Sequence, residues 1–398
     1  MSGPRISVVM SVYNGMPYLP QAVDSILGQT FRDLEFIVID DGSTDASPTY
    51  LAASARRDPR LIVLRNPGNM GYTRSLNRGF GQARGRYLAR QDADDLSLPE
   101  RLELQVTYLE ANPDVGLVGT FPRFIDEEGL ERPSPHYPLL VDSLQIHEAL
   151  PDSNCFRHGS VVFRRRLIER VGLYDPDLEP SEDYDLWLRF SEVTKLANLA
   201  RPLYLYREHE HSVSSKRRFR QMLNKARALE AAIGRRYPSA SPPRRLVHLL
   251  ARDLVRVAFI GYATGLLEDA RQACQHAIRL VPRMGEVAPI IEDVVDRYLN
   301  LEPASRAFVL GQGLFDDLLP QHPRLKRSWS RIRARLHMRV VFEAQAGNEA
   351  ESVAEHLWRG VRGDPGWLLN RGVWSIGLRH LTSILRKADD VTPEDPRR

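Results

Sequence analysis

The stretch ISVVMSVYNGMPYLPQAVDSILGQTFRDLEFIVIDD (residues 6–41) contains two short apolar runs separated by a segment with helical spacing. The runs ISVVMSVY (6–13) and LEFIVID (34–40) are rich in β-branched residues and have the length of strands buried on both faces. Between them, PYLPQAVDSILGQ carries apolar residues three and four positions apart, as one face of a helix does. Strand, helix and strand at this spacing predict a right-handed βαβ unit with parallel strands.

The same alternation continues along the next fifty residues. Two further strands and two further helices are predicted, over 60–66, 85–92, 47–57 and 71–83. The helix over 47–57 opens with Ser47 and Pro48, which are typical of the N-cap and first helical positions. The fold class that follows is α/β, with an open, mostly parallel sheet flanked by helices, and ligands are expected beyond the carboxyl ends of the strands.

From about residue 213 the pattern changes to continuous helical periodicity without a convincing strand. We therefore expect an α/β domain over 1–212 and an all-α C-terminal domain over 213–398, with YPSASPPRR (237–245) as the clearest joint. The segments 257–282 and 340–365 share an aromatic residue, a glycine, an alanine-rich helix and a terminal proline. Either a pair of tetratricopeptide-like helical hairpins or an irregular bundle fits this pattern.

Composition limits the class of protein. The chain has 398 residues, 42% of them hydrophobic, a net charge of +4 and two cysteines. Cys155 and Cys274 lie far apart, which argues against a disulfide framework and favours a reducing compartment. The N-terminal apolar run resembles a first strand rather than a signal peptide, and no run reaches the length of a membrane span. A cytoplasmic protein is expected, and nothing indicates a nucleic acid partner.

A basic amphipathic helix is predicted near the C-terminus, over PGWLLNRGVWSIGLRHLTSILRK (365–387). Its tryptophans and leucines alternate with arginine, lysine and histidine. Such a helix either lies on an anionic membrane, here the inner face of the cell membrane, or packs against the rest of the helical domain.

Three carboxylates are crowded into QDADD (91–95), directly after the predicted strand over 85–92. In an extended chain Asp92 and Asp94 point to one side and Asp95 points to the other. Two convergent carboxylates are costly unless a cation lies between them, and oxygen ligands suit Mg²⁺ or Mn²⁺. The alternative is that the acids, or Ser97 alone, cap the helix that begins nearby.

Two other acidic pairs stand at element ends. Asp40 and Asp41 close the predicted strand over 34–40, so that one of them faces the crevice, although Asp41 could also serve only its own turn. Glu182 and Asp183 lie in the first turn of a helix in SEDYDLWLRF (181–190), where the helix dipole favours acids. A carboxylate held there could also act as a general base.

Taken together, five segments resemble the inverting nucleotide-sugar glycosyltransferases of family 2, which have the GT-A fold. They are SVVMSVYNG, VIDDGSTD, the segment from NPGNMGYTRSLN to QDADD, HGSVVFRR and SEDYDLWLRF, in that order. The resemblance covers about residues 5 to 212 and leaves the helical tail outside it. It implies a GT-A type nucleotide-binding sheet and a nucleoside-diphosphate sugar as donor. Among such donors the resemblance favours UDP-sugars.

The resemblance also implies roles for residues around the nucleotide. Ser11, Tyr13 and Asn14 would line the base and ribose pocket, and Asp41 would bind the uracil or ribose edge. Arg74 would approach the diphosphate or the base, although its alternative role is that of a solvated helix arginine.

For the reacting end, the resemblance implies a metal and a base. Asp92 and Asp94 match an Asp-x-Asp element, in which Asp94 ligates Mn²⁺ or Mg²⁺ and Asp92 contacts the ribose or the ion and its water shell. Asp95 would touch the sugar, and Asp183 of the Glu182–Asp183 pair would be the catalytic base.

Three residues are weaker candidates. Arg207 and His209, in YREHEHSVS (206–214), could face phosphate or metal, or could be solvated loop residues. His158 could contact the acceptor, although a histidine before a core strand is more often a structural residue.

The sequence thus predicts a metal-dependent inverting glycosyltransferase that acts on a glycan, lipid-linked or protein acceptor. A divalent ion stabilises the diphosphate leaving group, so one carboxylate suffices as base. The alternatives are an interaction protein with a vestigial sugar-nucleotide domain and a sugar-phosphate nucleotidyltransferase. The latter is disfavoured because SVYNGMPYLP lacks a Gly-rich basic loop, and an oxidoreductase is disfavoured by the absence of G-x-G-x-x-G after a strand.

Overall fold

A computed structural model describes residues 3–133, 140–209, 217–281, 326–344 and 350–370, together with 289–291, 293, 315 and 373. The chain divides into two compact units, Met1–Leu246 and Val247–Arg398. The first unit is an α/β domain, and the described residues of the second unit are helical.

Nine strands form one sheet in the order β3-β2-β1-β4-β8-β6-β9-β5, with β7 paired to β6. They are β1 (Ile6–Val12), β2 (Leu34–Asp40), β3 (Leu61–Arg65), β4 (Tyr87–Arg90), β5 (Leu96–Ser97), β6 (Val115–Ile125), β7 (Glu131–Arg132), β8 (Val162–Arg164) and β9 (Lys195–Arg207). The four strands predicted first, β1 to β4, are parallel neighbours as expected. Strand β8 runs antiparallel to β4 and to β6, so the second half of the sheet is mixed.

The helices of the first unit cover the sheet and extend beyond it. They are α1 (Leu19–Leu27), α2 (Ser47–Arg57), α3 (Tyr72–Gln82), α4 (Arg101–Ala111), α5 (Ser143–Ala149), α6 (Arg166–Val171), α7 (Glu182–Ser191) and α8 (Arg218–Arg236). Every residue of β1 and of β2 is buried, because helices cover both faces of the parallel half. The predicted α/β class is therefore confirmed.

Helix starts differ slightly from the prediction. Ser47 is the first residue of α2 rather than its N-cap, and its backbone N–H donates instead to Asp45 Oδ1 at 2.9 Å. The hydroxyl of Ser47 accepts from the backbone N–H of Gly15 at 3.0 Å, which ties α2 to the loop after β1. Helix α4 begins at Arg101 without a side-chain cap, so neither the acids of QDADD nor Ser97 caps it.

The first unit extends past residue 212, where the sequence analysis ends its first domain. Helix α8 packs against α7, and Arg235 pairs with Glu192 at 3.1 Å. Asn224 of the same helix is fully buried and donates to the carbonyl of Glu179 at 2.8 Å. Because α8 contributes buried residues to this unit, the division falls at Leu246.

The described helices of the C-terminal part are α9 (Arg244–Thr264), α10 (Leu267–Leu280), α11 (Lys326–Ala344) and α12 (Ala350–Gly363). The turn between α9 and α10 contains Gly265 at φ +80°, a left-handed conformation that favours glycine. The repeat-like segments 257–282 and 340–365 each include the end of one helix and most of the next. Whether these helices form tetratricopeptide-like hairpins or an irregular bundle stays a prediction.

The predicted basic helix over 365–387 lies mostly outside the described residues. Its first part, Pro365–Leu369, forms a short 3-10 helix. Among the residues that the structure describes, no helix is long and apolar enough to cross a membrane. Cys155 and Cys274 are both buried free thiols.

We expect the apolar anchoring of α7 to hold the first unit together. Leu188 of α7 is 0% exposed, whereas Leu144 of α5 is 75% exposed. Leu188→Ala should lower the free energy of unfolding by about 2–5 kcal/mol because it leaves a cavity. The matched change Leu144→Ala should cost less than about 0.5 kcal/mol. Urea unfolding followed by near-ultraviolet circular dichroism measures both, and equal losses would contradict this view of the core.

Candidate active site

A cavity of about 850 Å³ opens in the first unit at the carboxyl ends of β1, β2 and β4. Its walls come from the loops after these strands, the start of α3, the segment before β8, the start of α7 and residues of α8. The polar and aromatic residues that line it include Ser11, Tyr13, Asn14, Asp41, Tyr72, Asp92, Asp94, Asp95, Asn154, His158, Glu179, Glu182, Asp183, His209 and Lys225, with Gly159 beside them. The cavity lies beyond the carboxyl ends of the strands, where the sequence analysis expects ligands to bind.

The two aspartates that end β2 point in different directions. Asp41 lines the cavity and accepts hydrogen bonds from Asn66 Nδ2 at 2.7 Å and from the backbone N–H groups of Met70 and Gly71 at 2.9 and 3.0 Å. Asp40 accepts instead from the backbone N–H of Ser43 at 2.9 Å. Asp41 therefore holds the loop before α3 in place and presents its edge to the cavity.

Three predicted nucleotide-binding residues, Ser11, Tyr13 and Asn14, line the cavity together. Asn14 adopts φ 51°, which asparagine tolerates better than most residues, and its Oδ1 accepts from the backbone N–H of Thr44 at 2.8 Å. The Tyr13 side chain is left 50% exposed at the cavity, so a flat aromatic surface is available there.

The segment QDADD does not continue β4 as an extended chain. Strand β4 ends at Arg90, and the following residues bend, so Asp92 and Asp94 do not share one face of a strand. Each carboxylate has its own partner instead. Asp94 Oδ2 lies 2.9 Å from His209 Nε2, and Asp95 Oδ1 accepts from the backbone N–H of Arg207 at 2.7 Å. The repulsion between them persists nevertheless, since burial and the charges of Asp94 and Asp92 raise the pKa of Asp95 well above its usual range.

Asp92 forms an ion pair with Arg90 at 2.5 Å, and the Arg90 side chain is 0% exposed. The same carboxylate accepts from Tyr72 Oη at 2.8 Å. Burial alone would raise the pKa of Asp92, but Arg90 lowers it below its usual value, so the carboxylate is ionised. Burial likewise would lower the pKa of Arg90, but Tyr72 and Asp92 raise it and keep the guanidinium charged.

His158 is held neutral beside this ion pair. Burial, with the charge of Arg90, lowers the pKa of His158 to about 3. Its Nε2 lies 3.3 Å from Arg90 Nε and 2.7 Å from Tyr174 Oη. Because Arg90 can only donate, Nε2 is the acceptor, and the network assigns the proton of His158 to Nδ1. That N–H faces Tyr72 Oη at 3.4 Å and Glu182 Oε1 at 3.8 Å.

Asp183 combines burial with hydrogen bonds that favour its charged form. Asn154 Nδ2 donates to Oδ2 at 2.7 Å, and the backbone N–H of Tyr184 donates to Oδ1 at 2.7 Å. Burial nevertheless dominates and raises the pKa of Asp183 to about 6. A carboxylate with this pKa is ionised at neutral pH and more basic than an exposed aspartate, which suits a general base.

Glu182, the neighbour of Asp183, has a different environment. It is 4% exposed, and burial together with the charge of Asp183 raises its pKa well above the usual range. Its Oε2 has no hydrogen-bond partner within the described part of the chain. The two adjacent carboxyl groups are therefore unlike in protonation: Asp183 ionises and Glu182 stays neutral.

Two predicted residues are placed elsewhere. Arg74 is exposed on α3 and does not line the cavity, because Thr73 and Leu76 take the inward positions of that helix. Arg207 is buried and donates to the carbonyls of Asp94, Asp126 and Glu127 at 2.9, 2.9 and 3.0 Å. Its guanidinium is used by backbone carbonyls and it is neither exposed nor in a loop, so both alternatives given for Arg207, a contact with phosphate or metal and a solvated loop position, are wrong.

Sequence reasoning did not single out Arg90, Tyr72, Asn154 or Tyr174. A signal existed for Arg90, because a charged residue inside the apolar run of β4 is unusual. No pattern marks Asn154, since its contact with Asp183 joins positions 29 residues apart.

No cluster of three or more histidine, cysteine, aspartate or glutamate side chains suited to a metal exists within the described residues. The pair Asp94 and His209 offers two such side chains, and Asp94 is 38% exposed. Two protein ligands would leave the remaining positions of an ion to water or to phosphate oxygens.

This chain is similar in sequence to known glycosyltransferases. A sequence profile described as Glycosyl transferase family 2 matches residues 7–172. The putative glycosyltransferase EpsE of Bacillus subtilis is 36% identical over 211 residues, which are 52% of this chain and 74% of that protein. The O-antigen biosynthesis glycosyltransferase WbnJ of Escherichia coli is 35% identical over 212 residues, 52% of this chain and 81% of that protein.

Among solved structures, that of S. aureus TarS 1-349 in complex with UDP is similar, with a TM-score of 0.52 and 18% identity, covering 83% of this chain and 91% of that one. The complex of the same protein with UDP-GlcNAc gives a TM-score of 0.51 and 16% identity, covering 79% and 89%. At this identity the likeness shows the fold, which is of the GT-A type.

Gly159 permits the close approach of Asp92 to the segment before β8. A Cβ atom at Gly159 would lie 1.8 Å from Tyr204 Oη and 2.5 Å from Asp92 Oδ2. Gly159→Ala should therefore displace Asp92 and lower the free energy of unfolding by about 1–3 kcal/mol. Gly81→Ala is the control, since nothing lies within 4 Å of its added Cβ. Thermal unfolding measures both, and a Gly159→Ala protein as stable as Gly81→Ala would contradict this packing.

Proposed function

This chain belongs to glycosyl transferase family 2, and on that premise we propose that it transfers a sugar from a nucleoside-diphosphate sugar to a hydroxyl acceptor with inversion of the anomeric centre. The single observation that carries the proposal is Asp183, a half-buried cavity carboxylate with two hydrogen-bond donors and a pKa of about 6. An acceptor hydroxyl must lose its proton as it attacks, and one positioned carboxylate can take it.

The donor would bind across the carboxyl ends of β1, β2 and β4. Asp41 and the loop that it holds offer a polar edge, and Tyr13, which lines the same cavity, offers an aromatic surface; both suit a base and ribose. We propose a UDP-sugar, because TarS, which shares the fold, has been crystallised with UDP and UDP-GlcNAc. Asp92, already paired with Arg90, would contact the ribose or the water shell of an ion. Asp95 departs from the role that the resemblance implies: it is buried and accepts from the backbone N–H of Arg207, so we propose that it supports the loop and does not touch the sugar.

We propose that Asp94 and His209 hold Mn²⁺ or Mg²⁺. Their side chains are 2.9 Å apart, Asp94 is partly exposed, and both residues line the cavity. When bound, the ion would neutralise charge that develops on the diphosphate leaving group. The hydrogen bond that His209 donates to Asp94 raises the pKa of His209, so ion binding must displace a proton from that pair.

The reaction class leaves the acceptor open among glycan, lipid-linked and protein hydroxyls. Since WbnJ is named for O-antigen biosynthesis, we propose glycan synthesis as the process. Contact with the inner face of the cell membrane through 365–387 stays a prediction, because that segment lies mostly outside the described residues.

Asp183→Asn should lower kcat at least about 100-fold, because the amide cannot take a proton. The dissociation constant of the nucleotide should change less than about twofold, since the amide keeps the shape of the carboxylate. Release of UDP from UDP-glucose, UDP-galactose or UDP-GlcNAc measures turnover, with water as acceptor if no other is known. In the native protein kcat/KM should fall tenfold per pH unit below pH 6, because protonation of Asp183 removes the base.

The control is Asp33→Asn, which alters an exposed aspartate outside the cavity. Full turnover in Asp183→Asn would remove Asp183 from the mechanism. If no UDP-, GDP- or dTDP-sugar binds or reacts with the folded native protein, a vestigial domain becomes the better description.

Asp94→Ala and His209→Gln should each abolish the dependence of UDP binding on Mn²⁺. Calorimetric titration of UDP, with Mn²⁺ and with chelator, measures this. In the native protein the affinity for Mn²⁺ with UDP should rise with pH through the pKa of His209, since only neutral imidazole ligates a metal. His147→Gln is the matched control, because His147 is exposed on α5. Unchanged metal dependence in both Asp94→Ala and His209→Gln would overturn the assignment.

A further inference from the structure

The cavity contains one buried carboxyl group that the mechanism above leaves unused. Glu182 lines the cavity, its side chain is 5% exposed, and its Oε2 lacks a hydrogen-bond partner among the described residues. Buried polar atoms are almost always hydrogen-bonded in native proteins, so an unpartnered oxygen in a ligand cavity points to a bond made by the ligand.

The charges around Glu182 favour its neutral form. Burial raises the pKa of Glu182 most strongly, and the charges of Asp183 and Glu179 raise it further. Arg90 opposes them, but its charge is committed to Asp92 at 2.5 Å. His158 is neutral and turns its Nδ1–H toward Glu182 Oε1 at 3.8 Å. Glu182 therefore offers a carboxylic O–H, with Oε1 as the acceptor end.

The position of Glu182 selects the ligand group. It follows directly in the chain on Ser181 and precedes Asp183, where the acceptor hydroxyl would lose its proton, and its Oε1 lies 3.8 Å from Nδ1 of His158, which also faces Tyr72. A donor sugar must lie between the attacking hydroxyl and the diphosphate, so the space next to Glu182 is that of the transferred sugar.

We propose that Glu182 binds a hydroxyl group of the transferred sugar as a neutral hydrogen-bond donor. This rests on the proposed function, since it assumes a sugar nucleotide in the cavity. A carboxyl group can present its O–H by rotating only its last torsion, which has a broad energy profile. Glu182 would thus help to select the donor sugar, whereas Asp183 would act on the acceptor. Because the two groups differ in protonation, they do not compete for the same proton.

Glu182→Gln and Glu182→Met form a matched pair for the test. Glutamine keeps the shape and a neutral donor, whereas methionine keeps the volume and removes hydrogen bonding. Calorimetry would compare the affinities for UDP alone and for UDP-glucose, UDP-galactose and UDP-GlcNAc. We expect the sugar to increase affinity in the native protein, the increment to survive in Glu182→Gln within threefold, and to fall about tenfold in Glu182→Met. Affinity for UDP alone should be equal in all three proteins.

Each result that differs from this expectation contradicts one specific part of the proposal. If Glu182→Gln loses the increment as fully as Glu182→Met, the group is a charged acceptor and not a neutral donor. If neither variant changes it, or if the native protein gains nothing from the sugar, Glu182 does not bind the donor sugar. Equal affinity for UDP and unchanged circular dichroism show that the variants are folded. Failure of the native protein to bind any nucleotide would instead overturn the proposed function.

Discussion

The buried ion pair between Arg90 and Asp92 is the interaction on which the rest of the site depends. Arg90 Nη1 donates to the carbonyls of Val9 and Gln91 at 2.7 and 2.6 Å, so the guanidinium ties β1 to the end of β4. Through Asp92 and Tyr72 it also fixes the start of α3. Removal of one buried charge would leave the other uncompensated, a costly arrangement. The charge of Arg90 also adds to the effect of burial, which keeps His158 neutral.

A second constraint is that two adjacent carboxyl groups have different hydrogen-bond partners and different protonation states. Glu182 and Asp183 share a helix terminus, yet the carboxylate of Asp183 receives donors from Asn154 and from the backbone of Tyr184, whereas Oε2 of Glu182 has no partner among the described residues. A helix dipole alone would favour ionisation of both. Burial opposes that effect, and the hydrogen bonds decide which group ionises. Two acids next to each other in sequence can therefore serve different chemical purposes.

Much of the fold follows from local sequence pattern, because β1 to β4 are parallel strands buried on both faces and their apolar runs are nearly continuous. The predicted bounds 34–40 and 47–57 coincide with β2 and α2. Site residues at strand ends, such as Asp41, were also predictable, since parallel strands bring their carboxyl ends to one edge. Arg74 and Arg207 were not, because spacing does not tell which face of a helix or strand meets the cavity. The bend after Arg90 was not predicted either, because the partners of Asp94 and Asp95, the His209 side chain and the backbone of Arg207, come from a distant segment.

The sequence by itself determined the α/β alternation, the helical character of the C-terminal part and the family, because these depend on periodicity and on motifs read along the chain. Only the tertiary structure decided which carboxylates are charged. That outcome depends on burial and on partners such as Arg90, His158, Asn154 and His209, which come from distant segments. Protonation is set by the free energy of a charge in its three-dimensional surroundings, and no local pattern records those surroundings.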